Sequence, residues 1–299
     1  MFNKVISSLK KIHRVHKNFE IILDVHNRSQ VLLSAALSSE EKIIAPRRWD
    51  AKELIVSLTT YSKRIHDVHL VIESIAMQTF KPHRIILWLD EDEFTIDSIP
   101  LILKKQVERG LEVRFCPNYR SYKKLIPTLQ LFPDADIVTI DDDILYPHDM
   151  LELLVKEHHC NPGCVIGHRV HRIKKDQKGR VIPYRYWEHE ISDCDDSFLH
   201  MAIGVGGVFY PAGSLNSECN NIEEFTNLAP NADDIWFKGM SLLNNYKHKK
   251  VSDGRGFEQR FLMLANSQDI ALSNDNHHGN QNDLQFKAVF ERYKLYQKL

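Results

Sequence analysis

The stretch IVTIDDDILYP, residues 137–147, places three adjacent aspartates directly after a short run of strand-forming residues. Such a run predicts a buried strand, and the carboxyl ends of strands in an open α/β sheet lie at the edge where ligands bind. Side chains alternate along an extended backbone, so we expect Asp141 and Asp143 on one face and Asp142 on the other. On this pattern Asp142 is the most replaceable acid of the three.

Three neighbouring carboxylates repel one another, and a divalent cation held by Asp141 and Asp143 would relieve that repulsion. Through such a cation the site would bind a phosphate-bearing ligand. The alternative is an acidic turn that caps the next helix, with Asp149 contributing. A cap needs one acid, whereas three follow the strand here, and this difference favours the metal site.

The bulk composition narrows the class of protein. The chain has 299 residues, of which 43% are hydrophobic. Its 39 Lys and Arg nearly balance its 40 Asp and Glu, so the overall charge gives no reason to expect nucleic-acid binding. Apolar runs such as RIILWL fall far below the roughly 20 residues that cross a bilayer, and the N-terminus lacks a signal-peptide pattern. Five cysteines without an evident framework fit a reducing compartment. We therefore expect a cytoplasmic protein, either free or at the inner face of the cell membrane.

From residue 52 the pattern alternates between strand and helix. The segments ELIVSLTT, HRIILWLDED, LEVRFCP and the acidic run predict strands, with helical segments between them. This order predicts an α/β fold, a Rossmann-type mixed sheet that is parallel in its N-terminal half and flanked by helices. Further on we expect a hairpin around the Lys178–Gly179 turn, a Gly-rich strand in GVGGVFYP, a helix in NADDIWFKGMSLLNN, a strand near KKVSD and a polar C-terminal segment.

Residues 1–48 predict a helical extension outside the domain that residues 49–299 form. This segment carries lysines and arginines among apolar residues at helical spacing, including Lys10, Lys11 and Arg14 beside Leu9 and Ile12. One interpretation is a basic amphipathic helix that lies on an anionic membrane or on a partner. The other is an ordinary solvated helix that packs on the domain.

A second acidic pair, Asp233 and Asp234, opens a predicted helix. The helix dipole favours acids in a first turn, which is a purely structural explanation. However, a glycine-rich loop with Gly204, Gly206 and Gly207 precedes the pair, and glycines permit close approach of a ligand. A loop that admits substrate, followed by a carboxylate, suits a general base that accepts a proton from a hydroxyl.

Further candidate ligands for the same edge are basic and imidazole side chains. Lys123 and Lys124 precede the acidic strand, where they could compensate the charge of a diphosphate. His277 and His278 lie in a polar segment, either as a solvated loop or as imidazoles that complete an octahedral metal shell.

The strand ending in DDD, the GVGG loop, the ADDIW helix and a late histidine occur in the order found in one family of enzymes. From about residue 52 to 285 the chain resembles nucleotide-sugar glycosyltransferases of the GT-A fold, most closely the bacterial family-2-like enzymes that build surface polysaccharides. The resemblance implies Mn²⁺ or Mg²⁺ as cofactor, a nucleotide-sugar donor and a glycan or lipid-linked glycan as acceptor.

The resemblance also implies roles for single residues. The segment VSLTTYSKRI matches the family's first-strand signature, so Thr59, Tyr61 and Arg64 would seat the nucleotide. The family's DxD motif falls on Asp141, near the ribose or a water on the metal, and on Asp143, which would ligate the metal directly.

The family's catalytic acid falls on the pair at 233–234, with Asp234 as the better match for the base, although Asp rather than Glu stands at 233. At the second strand WLDEDE replaces the usual VDDGS-like ending, and Asp90 or Asp92 is the candidate nucleoside contact there. We further assign donor contacts to Asp142, Lys123 and Lys124, and acceptor contacts to Gly206, Gly207 and Trp187, with a place in the core as the alternative for Trp187.

The implied reaction is a direct displacement with inversion, in which Asp234 takes the proton of the acceptor hydroxyl. Two alternatives stand beside it. In a haloacid-dehalogenase-like phosphatase Asp141 would attack phosphate, but about 90 residues of strand and helix precede the motif here. A sugar-nucleotide-binding subunit without turnover is the non-enzymatic alternative.

Overall fold

Strand and helix alternate along the chain in the computed structural model, which describes residues 2–46, 52–264 and 281–299, with side chains from residue 15 onward. The strands are β1 Leu54–Thr59, β2 Arg84–Asp90, β3 Leu111–Cys116, β4 Asp136–Thr139, β5 Ile144–Leu145, β6 Cys164–Gly167, β7 Val170–Arg172, β8 Asp196–Ser197, β9 His200–Ala202, β10 Val208–Tyr210, β11 Lys247–Lys250 and β12 Leu262–Met263. The helices are α1 Phe2–Ser38, α2 Val68–Ala76, α3 Leu101–Glu108, α4 Ile126–Leu131, α5 Met150–Cys160, α6 Ile222–Leu228, α7 Asp233–Leu243, α8 Phe257–Arg260 and α9 Gln281–Arg292.

A central mixed sheet organises the molecule. Within the described ranges it contains eight strands in the order β3-β2-β1-β4-β10-β6-β11-β8. The first four strands along the chain pair in parallel, and β10 joins them in antiparallel orientation. The predicted α/β class, with a sheet that is parallel in its N-terminal half, is therefore confirmed.

Burial explains why the N-terminal strands are nearly continuous apolar runs. Helices cover both faces of this part of the sheet, so successive residues such as Ile55 and Val56, which point to opposite faces, are both fully buried. The strand direction reverses at β10, which is antiparallel to β4. The carboxyl ends of β1 and β4 open onto a cleft, and residues 204–205, which follow β9, line the other side of this cleft. Open sheets bind ligands at such a change of strand order.

The C-terminal half departs from the sequence-based expectations in two places. The hairpin predicted around Lys178–Gly179 is present only in part: the chain turns back there through two antiparallel bridges, Lys175 to Val181 and Arg172 to Glu188, whereas the regular partner of β7 is β9. The end of the polar C-terminal segment forms α9, which packs on α7. Gly239 permits this close approach, since a Cβ there would lie 2.8 Å from Val289.

Phe2–Ser38 form one long helix, α1. Its C-terminal half packs on the sheet domain, where Leu32 and Ala36 are buried. The predicted domain boundary at residue 48 lies outside the described residues. None of the helices in the described part of the chain is long and apolar enough to cross a bilayer.

Candidate active site

A cleft of about 410 Å³ lies at the carboxyl ends of β1 and β4. Parallel strands present their carboxyl ends at one edge, so residues far apart in sequence meet there. Eleven of the residues singled out from the sequence line this cleft: Thr59, Tyr61, Arg64, Lys123, Lys124, Asp141, Asp142, Asp143, Gly204, Asp233 and Asp234.

Four other candidates lie elsewhere. Asp90 is buried behind the cleft, with its Oδ2 3.5 Å from the Nζ of Lys123. Trp187 is buried in the core and donates its ring N–H to the Ile182 carbonyl oxygen, so this conformation offers no platform to an acceptor. Gly206 and Gly207 do not line the cleft either. His277 and His278 lie outside the described residues.

The acid triplet lies in a turn and not on a strand. β4 ends at Thr139, and the backbone turns at residues 142–143 before β5 begins. Strand alternation therefore does not apply, and Asp142 is not the replaceable acid that it predicted. Its Oδ2 accepts a 2.7 Å hydrogen bond from the Thr60 hydroxyl, and its Oδ1 lies 2.6 Å from Nη1 of Arg64. The buried carboxylate of Asp142 therefore holds the turn in place through its bonds to a hydroxyl and to a guanidinium.

Arg64 also contacts the third acid of the triplet. Its Nη1 lies 3.3 Å from Oδ2 of Asp143. Burial, followed by the negative charges of Asp141 and Asp142, raises the pKa of Asp143 to about 7. The guanidinium of Arg64 lowers the pKa of Asp143, but by less than burial and the two neighbouring acids raise it.

Lys124 connects the triplet to the second acidic pair. Its Nζ lies 3.1 Å from Oδ1 of Asp141 and 3.1 Å from Oδ2 of Asp233. Burial alone would lower the pKa of this lysine, but the acids Asp141, Asp233 and Asp234 outweigh burial and raise it. The ammonium therefore stays charged and holds three segments of the cleft together.

Asp234 faces the cleft from the first turn of α7. Ala232 is the N-cap of this helix, so Asp233 and Asp234 stand in its first turn and not at the capping position. Instead both carboxylate oxygens of Asp234 accept hydrogen bonds from the Gly204 N–H, at 3.1 and 3.2 Å. Burial, and then the charge of Asp233, raise the pKa of Asp234. A carboxyl group with a raised pKa suits proton exchange near neutral pH.

The glycine that matters most at the cleft is Gly204. A Cβ there would lie 2.8 Å from the Nζ of Lys124 and 3.3 Å from Oδ1 of Asp234. Gly206 and Gly207 instead allow the backbone to turn, because their φ values of +97° and +95° are rarely adopted by other residues. The motif alone could not separate these roles, because all three glycines stand within four positions.

Two residues that the sequence did not single out lie across the mouth of the cleft. The guanidinium of Arg120 donates to the side-chain oxygen of Asn231, and both residues line the cleft. Arg120 has a φ of +54°, a strained value for a residue with a side chain. No sequence signal marks either residue, because an isolated arginine or asparagine between elements is common on any surface.

The carboxylates of the triplet are a plausible donor set for a small divalent cation. Within residues 2–46, 52–264 and 281–299 no group of three or more His, Cys, Asp and Glu side chains has metal-site geometry. Both Asp141 and Asp143 line the cleft, and each lies within ion-pair distance of a cation, Lys124 for Asp141 and Arg64 for Asp143. Mg²⁺ commonly takes one or two carboxylates and completes its shell with phosphate and water, so these two acids fit that need.

Comparisons with known proteins give structural likeness alone. No protein-family model matches the chain, and no curated protein matches it. Residues 1–349 of TarS from S. aureus in complex with UDP match with 11% identity over 81% of this chain and 72% of that chain, at a TM-score of 0.48. TarS 1–349 also matches with 14% identity over 80% and 72%, at 0.46. A further TarS structure matches with 14% identity over 73% of this chain and 37% of that one, at 0.45. These values identify neither a substrate nor a site residue.

Proposed function

We propose that the protein is a glycosyltransferase that moves a sugar from a nucleotide-sugar donor to a hydroxyl acceptor. The observation that carries this proposal is the cleft itself, in which an acid triplet, two paired cations and a separate carboxyl with a raised pKa meet at the strand ends. A donor diphosphate needs cationic compensation, and an acceptor hydroxyl needs a base. We assign both needs to groups of this one cleft.

The donor half lies between β1 and the triplet. Tyr61 packs on Arg64, whose guanidinium carbon is 5.1 Å from the ring centre. We assign the nucleoside to this side, where Thr59 and Tyr61 line the cleft, and the diphosphate to the side of Lys124. Asp90 would act on the nucleoside only through Lys123, with which it is paired.

We further propose Mn²⁺ or Mg²⁺ as cofactor, with Asp141 and Asp143 as its protein ligands. When bound, the cation would neutralise the charge of the leaving diphosphate. Binding of the cation would also favour the ionised form of Asp143, whose pKa is raised to about 7 without it. We also propose that one imidazole, of His277 or His278, completes the coordination of the cation.

Asp234 is the proposed general base. The backbone N–H of Gly204 holds its carboxylate in position, and Lys124 lies beside its neighbour Asp233. Asp234 would accept the proton of the acceptor hydroxyl as that oxygen bonds to the anomeric carbon and the diphosphate departs from the opposite face. This single displacement inverts the anomeric configuration, and no covalent intermediate on the protein is needed.

The acceptor would be a sugar hydroxyl of a glycan or lipid-linked glycan, as in the synthesis of bacterial surface polysaccharides, with the reaction on the cytoplasmic side.

A turnover assay tests the function. It uses a panel of nucleotide-sugars and glycan acceptors with Mn²⁺ and measures the release of nucleoside diphosphate. We expect release that rises when acceptor is present. Release of free phosphate from phosphomonoesters instead would favour the phosphatase alternative, and tight donor binding without turnover would favour the binding subunit.

Substituting Gly204 with alanine tests the geometry of the cleft. The new Cβ would displace the ammonium of Lys124 from its carboxylates, because the two would be 2.8 Å apart. We expect turnover to fall by about 10- to 100-fold, since small misplacements of reacting groups have effects of this size. Gly163→Ala is the matched control, because its Cβ would meet nothing within 4 Å. Equal turnover in the two variants would contradict the proposed geometry.

A further inference from the structure

The first helix carries an apolar face that the rest of the described chain does not cover. α1 contains 37 residues and is roughly 55 Å long at the usual helical rise. Its second half is fixed to the sheet domain by buried Leu32 and by Arg28, whose Nη2 donates to the Tyr146 carbonyl oxygen at 2.8 Å.

The first half presents large apolar side chains to solvent. Val15, Phe19 and Ile22 are 60%, 58% and 63% exposed, and Leu23 is 43% exposed. Intervals of three and four residues place these side chains along one side of the helix. In the sequence the same intervals continue toward the N-terminus through apolar positions 12, 9 and 5. The apolar stripe therefore extends over about five helical turns, far more than a single exposed residue.

Basic residues dominate the charge of the same segment, in which Glu20 is the one acid before Asp24. The first 19 residues contain Lys4, Lys10, Lys11, Arg14 and Lys17 but no Asp or Glu, whereas the whole chain has a net charge of −1. Positions 10, 14 and 17 follow intervals of four and three, so they share a side of the helix that differs from the apolar stripe. Lys17 forms an exposed pair with Glu258 at 2.9 Å, and such pairs are weak.

A second copy of the helix would be a poor occupant for this face. Coiled-coil partners set their pairing with opposite charges that flank the seam. Two copies of this segment would instead bring lysines and arginines of both chains together without an acid before Glu20. Anionic lipid headgroups offer the complementary charge, and the acyl boundary accepts the apolar stripe.

We propose that residues 2–23 of α1 bind an anionic membrane surface, with the helix axis in the plane of the membrane. The apolar stripe enters the headgroup boundary, and the basic residues contact the headgroups. The inference does not depend on glycosyl transfer. It does connect to the cleft, since Arg28 holds the carbonyl of Tyr146, and the Tyr146 hydroxyl accepts the Asp141 N–H at 2.9 Å.

Co-sedimentation of the full chain with vesicles tests the proposal. We expect at least about tenfold tighter binding to equimolar phosphatidylcholine and phosphatidylglycerol than to phosphatidylcholine alone, and weaker binding as salt rises. The double variant F19S/I22S should reduce binding to the mixed vesicles by about tenfold or more, because it removes two apolar groups from the stripe. The variant K10E/R14E should lose the preference for anionic lipid.

The matched control is V31S/L284S, which removes two apolar side chains that are each 60% exposed outside the segment. It should bind the mixed vesicles like the wild type. Thermal unfolding should be unchanged in F19S/I22S, since neither side chain is buried. Equal binding to both vesicle types, or full binding by F19S/I22S, would overturn the proposal. A dimer that this double variant dissociates, without vesicle binding by the wild type, would assign the face to a second copy.

Discussion

Replacing Asp234 with asparagine is expected to lower turnover by about 10²- to 10⁴-fold, the usual contribution of a general base. Asparagine can still accept a hydrogen bond from the Gly204 N–H, which lies 3.1 Å from the carboxylate. It cannot take up the proton of the acceptor. Donor affinity should therefore stay close to that of the wild type, and the loss should appear in kcat.

The pH dependence of turnover gives a second signature of the same role. Burial, and then Asp233, raise the pKa of Asp234, so the wild-type rate should increase with pH through a value well above that of an ordinary aspartate. The residual turnover of Asp234→Asn should not fall as the pH is lowered through this range. Asp97→Asn, at an exposed aspartate, is the control and should match the wild type. Full activity of the Asp234→Asn variant would disprove the assignment of the base.

Asp143→Asn is expected to abolish metal-dependent donor binding, because the amide is a much poorer ligand for a hard cation than a carboxylate. Calorimetric titration of a nucleotide-sugar with Mn²⁺ measures this loss directly. Asp97→Asn again serves as the control. Unchanged metal-dependent binding by Asp143→Asn would remove Asp143 from the proposed metal site.

The same substitution should stabilise the ligand-free protein at alkaline pH. Burial raises the pKa of Asp143 from 3.8 to about 7 in the folded state, so the folded chain binds this proton more tightly than the unfolded chain. The contribution of Asp143 to the free energy of unfolding therefore falls as the pH rises from about 4 to 7. We expect a gain of up to about 4 kcal/mol for Asp143→Asn at pH 8 and almost none near pH 4. A pH-independent difference in urea unfolding would contradict the raised pKa.

The sequence was informative where a regular backbone sets the outcome. Alternation of strand and helix predicted the parallel half of the sheet, and strand ends predicted the edge where Arg64, Lys124 and Asp234 meet. The sequence was misleading where regular secondary structure ends. β4 stops at Thr139, so alternation misjudged Asp142, which is buried against Arg64 and Thr60.

Tertiary packing decided the remaining differences. A glycine's role depends on what a Cβ would meet, and only the folded chain shows Gly204 against Lys124 and Gly206 against Phe257. The same holds for Trp187, whose aromatic ring suits either a sugar platform or the core, and which the fold buries. The exposed stripe of α1 likewise follows from knowing which of its residues the domain covers.

The central claim is that the cleft at the ends of β1 and β4 binds a nucleotide-sugar through a divalent cation. Thermal unfolding of the wild-type protein with a panel of nucleoside-diphosphate sugars, each with and without Mn²⁺, tests it most directly, because a ligand that binds only the folded state raises Tm. We predict that at least one donor raises Tm in the presence of Mn²⁺ and has little effect without it. The absence of any shift with every nucleotide-sugar, with or without Mn²⁺ or Mg²⁺, would contradict the claim.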